Sequence, residues 1–260
     1  MTVTTATPVR IAWERRGTGE PLLLIHGLGY ARWGWEPVVD GLAERHEVVL
    51  FDNRGIGESD APPGPYTVRA LTEDAVAVMD AAEVERAHVL GTSLGGMVAL
   101  QLALDLPERV DRLVLACTTP GGSASAPMPE RTTRLMQEAA TLPREVALRK
   151  FVENALGEQP DRALVDRIME HRIGTAQPLD AWSAQAAAGA TFDVWDRVPE
   201  ITPPTLVLTG DDDGVIDPRN SAVLAERIPG ARLEVFRGGG HLFFWEQPQR
   251  FVDVVKEFLA

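Results

Sequence analysis

The sequence predicts an α/β fold: a mostly parallel central sheet flanked by helices, with a layer of helices inserted late in the chain. Three observations predict it. Short β-type runs alternate with amphipathic helical patterns, the order expected of parallel strands joined by right-handed crossovers. Several runs, such as Leu22-Leu23-Leu24-Ile25 and Leu113-Val114-Leu115-Ala116, are apolar throughout, as strands covered on both faces should be. Between Cys117 and Thr205 the alternation stops, and helical patterns follow one another without a convincing strand.

Taken in order, the spacing predicts strands at Val9–Glu14 and Pro21–Ile25, a helix over Val38–Arg45 and a strand at Val48–Phe51. A helix over Val68–Ala82, a strand at His88–Leu90, a helix over Leu94–Leu106 and a strand at Leu113–Cys117 follow. The loop Thr118–Ser123 then leads into helical segments at Glu130–Thr141, Arg144–Leu156, Asp161–Ile173 and Leu179–Ala188. Pro199–Pro204 reads as a stiff return to the sheet. The last elements are a strand at Thr205–Thr209, a helix at Ser221–Arg227, a strand at Arg232–Phe236 and a helix over Gln249–Leu259. The expected division is a core of residues 1–118 and 200–260 with a helical cap of 119–199, because a ligand site above bare strand ends needs walls.

The chain has 260 residues, 45% hydrophobic and 24% charged, an ordinary globular composition. A net charge of −13 argues against a nucleic-acid surface, which needs a basic stripe. The single cysteine, Cys117, rules out an internal disulfide. No basic segment followed by an apolar run opens the chain, and no apolar stretch reaches the roughly 18 residues of a membrane span. The expectation is a soluble, cytoplasmic protein with no nucleic-acid or membrane partner.

The chemistry begins at Gly91-Thr92-Ser93-Leu94-Gly95-Gly96, between an apolar run and a helical one. G-x-S-x-G at a strand-to-helix turn is the pattern of a nucleophile elbow, in which glycines leave room for a sharp turn that lifts the serine hydroxyl above the sheet; on its own the pattern reads equally as an ordinary Gly/Ser turn. A serine needs a base and a group to orient that base. Of five histidines, His241 follows three glycines immediately after the last strand, at the end where Ser93 is expected. His26 is read as a brace, His46 and His88 as structural, and His171 as part of the helical layer. The acid belongs in Asp211-Asp212-Asp213-Gly214-Val215-Ile216-Asp217, where four carboxylates compete and Asp217-Pro218 could equally start a helix.

The order Ser, Asp, His resembles the α/β-hydrolase fold family, and the spacing is similar to its small bacterial members with a helical cap after strand 6. The resemblance covers about Val9 to Leu259 and is weakest in the cap. It implies Asp213, third after Gly210, as the acid. His26-Gly27-Leu28-Gly29 resembles the family's H-G-x-G loop, which implies an oxyanion hole from the backbone N–H groups of Leu28 and Leu94. Asp52-Asn53-Arg54-Gly55-Ile56-Gly57-Glu58-Ser59 resembles its D-x-R-G-x-G-x-S segment, read as structural. Trp33, Met97, Trp182, Phe192 and Phe243 are candidates for the pocket lining, Trp33 first, and each reads equally well as core packing. Cys117 reads as a buried, inert thiol, since no histidine is its sequence neighbour. No metal site and no cofactor are implied. Arg131, Arg134, Arg144, Arg149 and Arg172 are interspersed with acids and leave the charge of the substrate open.

The expected activity is that of a cofactor-independent serine hydrolase acting on a small carboxylic ester or lactone. The resemblance extends to meta-cleavage-product hydrolases, which cut a carbon–carbon bond. It extends also to 3-oxoadipate enol-lactonases, through Gly95-Gly96-Met97-Val98 and with a departure at Leu94, where those enzymes usually carry methionine. A slow-turnover ligand receptor on the same fold is the alternative from another class.

Overall fold

The computed structural model describes residues 2–3, 9–175 and 177–260. Eight strands form one sheet: β1 (Thr2–Val3), β2 (Ala12–Arg16), β3 (Glu20–Ile25), β4 (His46–Phe51), β5 (Ala87–Thr92), β6 (Val110–Ala116), β7 (Thr205–Gly210) and β8 (Arg232–Phe236). Their order across the sheet is β1-β2-β4-β3-β5-β6-β7-β8. β2 runs antiparallel to both β1 and β4, and every pair from β4 to β8 is parallel. This is the α/β-hydrolase fold.

Side chains alternate across the strands, so the sheet carries two cores. Leu23, Ile25, Val49, Phe51, Val89 and Leu115 face α2 (Val68–Ala81), α3 (Leu94–Asp105) and α8 (Arg219–Arg227). Leu22, Leu24, Val48, Leu50, Leu90 and Val114 face α1 (Val39–Ala43) and α10 (Pro248–Leu259). Leu22 to Ile25 are each 1% exposed or less. Burying each such side chain contributes about 1.5–3 kcal/mol before entropy is charged against it, which explains why β3 is apolar at every central position.

Between β6 and β7 lie α4 (Glu130–Ala139), α5 (Arg144–Asn154), α6 (Arg162–Gly174) and α7 (Leu179–Ala190). Asp161 caps α6 by accepting from Ala163 N–H at 2.9 Å. These helices lend their apolar faces to the main cores. Val152 of α5 and Val165, Ile168 and Met169 of α6 join one, while Ala184 and Ala188 of α7 join the other. A short α9 (Phe243–Glu246) precedes α10.

Most strand limits differ from the sequence expectation by a few residues, and at two of them expected strand residues fall outside the sheet. Val9–Ile11 precede β2, because Arg10 hydrogen-bonds through its backbone and side chain to Asp60 in a loop. Cys117 lies outside β6, because its φ of 44° turns the chain out of the extended conformation. Among the described residues no helix is long and apolar enough to cross a membrane.

Candidate active site

Ser93 stands between β5 and α3 with φ 54° and ψ −120°, a left-handed geometry that costs a non-glycine residue about 1–3 kcal/mol. Hydrogen bonds on both sides of the peptide hold it there. Ser93 N–H donates to Ala116 O at 2.9 Å, and Ser93 O accepts from Thr118 Oγ1 at 2.8 Å and from Gly96 N–H at 2.9 Å. Space around the turn is minimal. A Cβ on Gly95 would lie 2.1 Å from Ile25 O, and one on Gly96 would lie 2.5 Å from Thr118 Cβ. The elbow is therefore pressed against the end of β3, and a Cβ on Gly27 would lie 3.4 Å from Ser93 Oγ.

His241 and Asp213 arrive from the ends of β8 and β7. His241 Nδ1 and Asp213 Oδ2 are 2.7 Å apart, and both residues are buried. Asp213 Oδ1 accepts from Val215 N–H at 2.7 Å and Ile216 N–H at 2.9 Å, which fixes the carboxylate in one orientation. The other three acids have separate partners. Asp211 accepts from Gly238 N–H, Asp212 pairs with Arg131, and Asp217 accepts from both the backbone and the guanidinium of Arg219 at the start of α8. Burial pushes the imidazole of His241 down. The Asp213 carboxylate, with Cys117 beside it, outweighs burial and holds the pKa well above the usual 6.5.

Neither Leu28 N–H nor Leu94 N–H donates to a protein acceptor among the described residues. Leu94 opens α3, whose first N–H groups are unsatisfied within the helix and carry its positive dipole end. His26 accepts from Gly27 N–H at 2.7 Å through Nδ1, stacks on Tyr30 and is pushed by burial down to about 3, so it stays neutral. Asn53 Nδ2 donates to His26 O at 2.9 Å. The rest of the 52–59 loop is bonded to itself, to β2 and Arg32, and through Arg54 to Asp74 of α2 and Gln185 of α7. Asp52 accepts from Arg32 and Glu58 N–H, and Ser59 bridges Asp52 O and Ala12 N–H.

Some bracing residues have no signal in the sequence, because their partners are backbone groups of distant segments. Glu246 accepts from Gly240 N–H at 2.7 Å and Gly157 N–H at 2.8 Å, tying the His241 loop to the end of α5. Leu242 N–H donates to Ala155 O at 2.8 Å in the same seam. Burial raises the Glu246 pKa, and the two backbone donors offset this only in part. On the acid side Arg131 bonds Asp212 and Thr132 Oγ1 donates to Gly214 O, both from α4.

The expected pocket residues separate. Met97 lies one turn after Ser93, and a Cβ on Gly189 of α7 would lie 3.6 Å from Met97 Sδ and 3.4 Å from Leu94 Cδ1. Trp182 is half-buried on α7, and Phe192 is buried in the same core as Met97. Trp33 is placed elsewhere. It stacks on His171 of α6 at 4.8 Å and lines a cleft of about 450 Å³ with Arg32, Glu36 and Thr175, none of which belongs to the Ser93 site. Phe243 is wholly buried against Phe236, Phe244 and Phe251 and has no surface for a ligand. Both placements share a cause, since aromatic residues satisfy core packing and pocket lining by the same contacts.

The structure also sorts the helical-layer arginines. Arg131, Arg134 and Arg149 pair with Asp212, Glu130 and Asp166, and Arg144 reaches Gln177 O. Arg172 has no carboxylate partner among the described residues. Its guanidinium lies 4.9 Å over the Tyr30 ring and fills the space where Gly29 would carry a Cβ. Cys117 is buried as expected, and burial pushes its thiol pKa up. It is not isolated. Its sulfur lies with ligand atoms of His241 and Asp213 in a group spanning no more than 4.8 Å. Its histidine neighbour is distant in sequence, because three adjacent strands deliver the three side chains.

A sheet of this order, with polar loops gathered at the carboxyl ends of its parallel strands, defines an α/β protein that holds its ligand above the sheet. The family model described as alpha/beta hydrolase fold matches residues 20–248. The chain belongs to the α/β-hydrolase fold family. It is 30% identical over 257 residues to the assigned carbamate hydrolase RutD of Azorhizobium caulinodans, covering 95% of this chain and 93% of that one. It is 31% identical over 270 residues to a 2-hydroxy-6-oxo-6-phenylhexa-2,4-dienoate hydrolase of Comamonas testosteroni, covering 96% of this chain and 91% of that one. Among solved structures, the enol-lactonase of Burkholderia xenovorans LB400 superposes with a TM-score of 0.87 at 26% identity, covering 99% of each chain.

Proposed function

We propose that this hydrolase-family chain is a cofactor-independent serine hydrolase of small carboxylic esters or lactones, with Ser93, His241 and Asp213 as its triad. The observation that carries the reading is the 2.7 Å His241–Asp213 pair at the same strand ends as a serine held at positive φ. Ser93 Oγ attacks the carbonyl carbon while His241 takes its proton. The oxyanion is held by the free N–H groups of Leu28 and Leu94 and by the dipole of α3. Asp213 fixes the imidazole and stabilises its charged form. His241 then gives the proton to the leaving alcohol, and water attacks the acyl-enzyme with His241 again as base. Residues 119–199 act as the cap, with α7 closing over Leu94 and Met97. In this reading Ser93→Ala and His241→Ala each lose at least about a thousandfold in kcat on a p-nitrophenyl ester. Near-normal turnover by either purified variant refutes it.

Arg172 favours a second reading, in which the substrate bears its own carboxylate, as a dienoate does. A half-buried guanidinium without an acid partner, set beside the Gly29 end of the oxyanion loop, supports binding of an anion there. Parallel assays on a neutral ester and on a carboxylated dienoate or lactone separate the two. Arg172→Met should raise KM about tenfold for the anionic substrate and leave the neutral ester within about twofold, the loss expected of one charge-assisted bond. Equal effects on both substrates rule out the anionic reading.

A further inference from the structure

Cys117, Asp213 and His241 lie in the segments that follow the carboxyl ends of β6, β7 and β8, three strands that lie side by side in the sheet. All three are buried, and one ligand atom from each lies within 4.8 Å of the others. We propose that this thiol, carboxylate and imidazole form a binding site for a borderline-soft divalent cation of the zinc type, and that its occupation switches the enzyme off.

The donor set fits that chemistry. Zinc takes cysteine sulfur at about 2.3 Å and imidazole nitrogen or carboxylate oxygen at about 2.0–2.2 Å, so tetrahedral ligand atoms stand roughly 3.3–3.7 Å apart. The present spacing needs a contraction of about 1 Å at its widest pair and an opening of somewhat less than that between His241 Nδ1 and Asp213 Oδ2, now 2.7 Å apart, both within the reach of side-chain rotation. The scaffold is already organised. Asp213 is clamped through Oδ1 by two backbone donors, and its Oδ2 faces His241 Nδ1 at 2.7 Å. The backbone of Cys117 is held in its left-handed turn by a 2.9 Å bond from its N–H to Leu208 O. Such strain at a non-glycine residue persists only where the surroundings impose it. Magnesium and calcium are poor candidates, because they need six or more oxygen ligands and a single carboxylate is present.

Binding forms a metal–sulfur, a metal–nitrogen and a metal–oxygen bond while the cation sheds waters of hydration. The thiol proton passes to solvent, the imidazole bound through Nδ1 keeps one proton on Nε2, and no electron changes hands. His241 then has no free lone pair oriented by Asp213 and cannot serve as base. The inhibition rests on the triad reading above, whereas the binding does not.

The experiment titrates the purified full chain with Zn²⁺ for activity and with Co²⁺ for absorption, in chelator-free buffer. Wild type, Cys117→Ala, Cys117→Ser and Ser93→Ala are compared. Zinc should inhibit wild type reversibly, with recovery on adding EDTA, and magnesium should have no effect. The half-inhibiting zinc concentration, scaled to each variant's own metal-free rate, should rise at least about tenfold in Cys117→Ala, since even outer-shell changes cost 10- to 100-fold in metal affinity. Cobalt should give a thiolate charge-transfer band in wild type and Ser93→Ala and none in Cys117→Ala or Cys117→Ser. Unchanged zinc sensitivity in Cys117→Ala, or no cobalt band in wild type, overturns the proposal. A cobalt band in a Ser93→Ala variant that still turns over ester leaves the metal site standing and removes the triad reading instead.

Discussion

Gly95→Ala sets two opposing effects against each other, and the structure supplies the numbers that decide between them. Alanine in a helix gains about 0.5–1 kcal/mol over glycine. Its Cβ would sit 2.1 Å from Ile25 O, 2.6 Å from Ile25 C and 2.8 Å from His26 O. All three are backbone atoms, so no side chain can swing away. Contacts under 3.0 Å are essentially never seen, so the elbow and the end of β3 must separate by about 0.9 Å. Overpacking of this kind costs about 1–3 kcal/mol, more than the helical gain. A net loss near 1 kcal/mol corresponds to about 2–4 °C in Tm for a chain of this size. The larger effect falls on catalysis, because Ile25–Leu28 carries the proposed oxyanion donor. A 1 Å misplacement costs about a hundredfold in rate. Gly189→Ala is the control, since its nearest neighbours are the flexible Leu94 and Met97 side chains at 3.4 Å and beyond. It should leave Tm unchanged or raise it by a few degrees. Thermal unfolding and ester kinetics on both variants test the argument. Gly95→Ala with kcat within about threefold of wild type would refute the claim that this close approach positions the oxyanion loop.

Three further outcomes follow from the same geometry. The acid limb of kcat/KM should lie above pH 6.5, because a raised His241 pKa must be passed before the base is free; in Asp213→Asn burial acts without the opposing charge, so a limb that fails to move below 6.5 contradicts the assignment. For stability, the raised His241 pKa contributes below 6.5 and its contribution is lost as pH rises through the folded pKa. Buried His26 acts in the opposite sense: its pKa of about 3 favours the fold above 6.5, and on the order of 5 kcal/mol is lost as pH falls from 6.5 to 3, measurable by urea unfolding across that range. Glu246→Gln keeps the shape of the side chain but cannot accept from both Gly157 and Gly240, and should lower kcat about tenfold with KM within about twofold; a change confined to KM would show that the bridge does not position His241.

The parts of this molecule that were legible in sequence are those whose cause is local. The β3 run is apolar because both its faces are covered, and the glycines around Ser93 are adjacent to the strain they relieve. The family resemblance implies Asp213 among four acids, and the geometry separates them by partner: Asp217 serves Arg219 at the start of α8, whereas Asp213 meets His241. What stayed hidden depends on contacts across long stretches of chain. Arg172 and Arg149 are alike in composition, and only the fold gives one an acid and leaves the other facing Gly29.

Cys117 makes the same point with chemical consequences. Extending β6 by one residue would leave its side chain in the alternating pattern of a strand, facing one of the two cores. The φ of 44° at this position breaks that alternation, and the sulfur comes to rest beside His241 and Asp213. That backbone angle therefore leaves the thiol packed in the core with Ala116 and also beside the proposed base. Thr118, the next residue, holds the carbonyl of Ser93. The two residues after β6 thus touch both halves of the proposed triad, which ties the placement of nucleophile and base to one turn of chain. A substitution there that changes the backbone angle should disturb both halves together, whereas one that changes only the sulfur should act on the base alone.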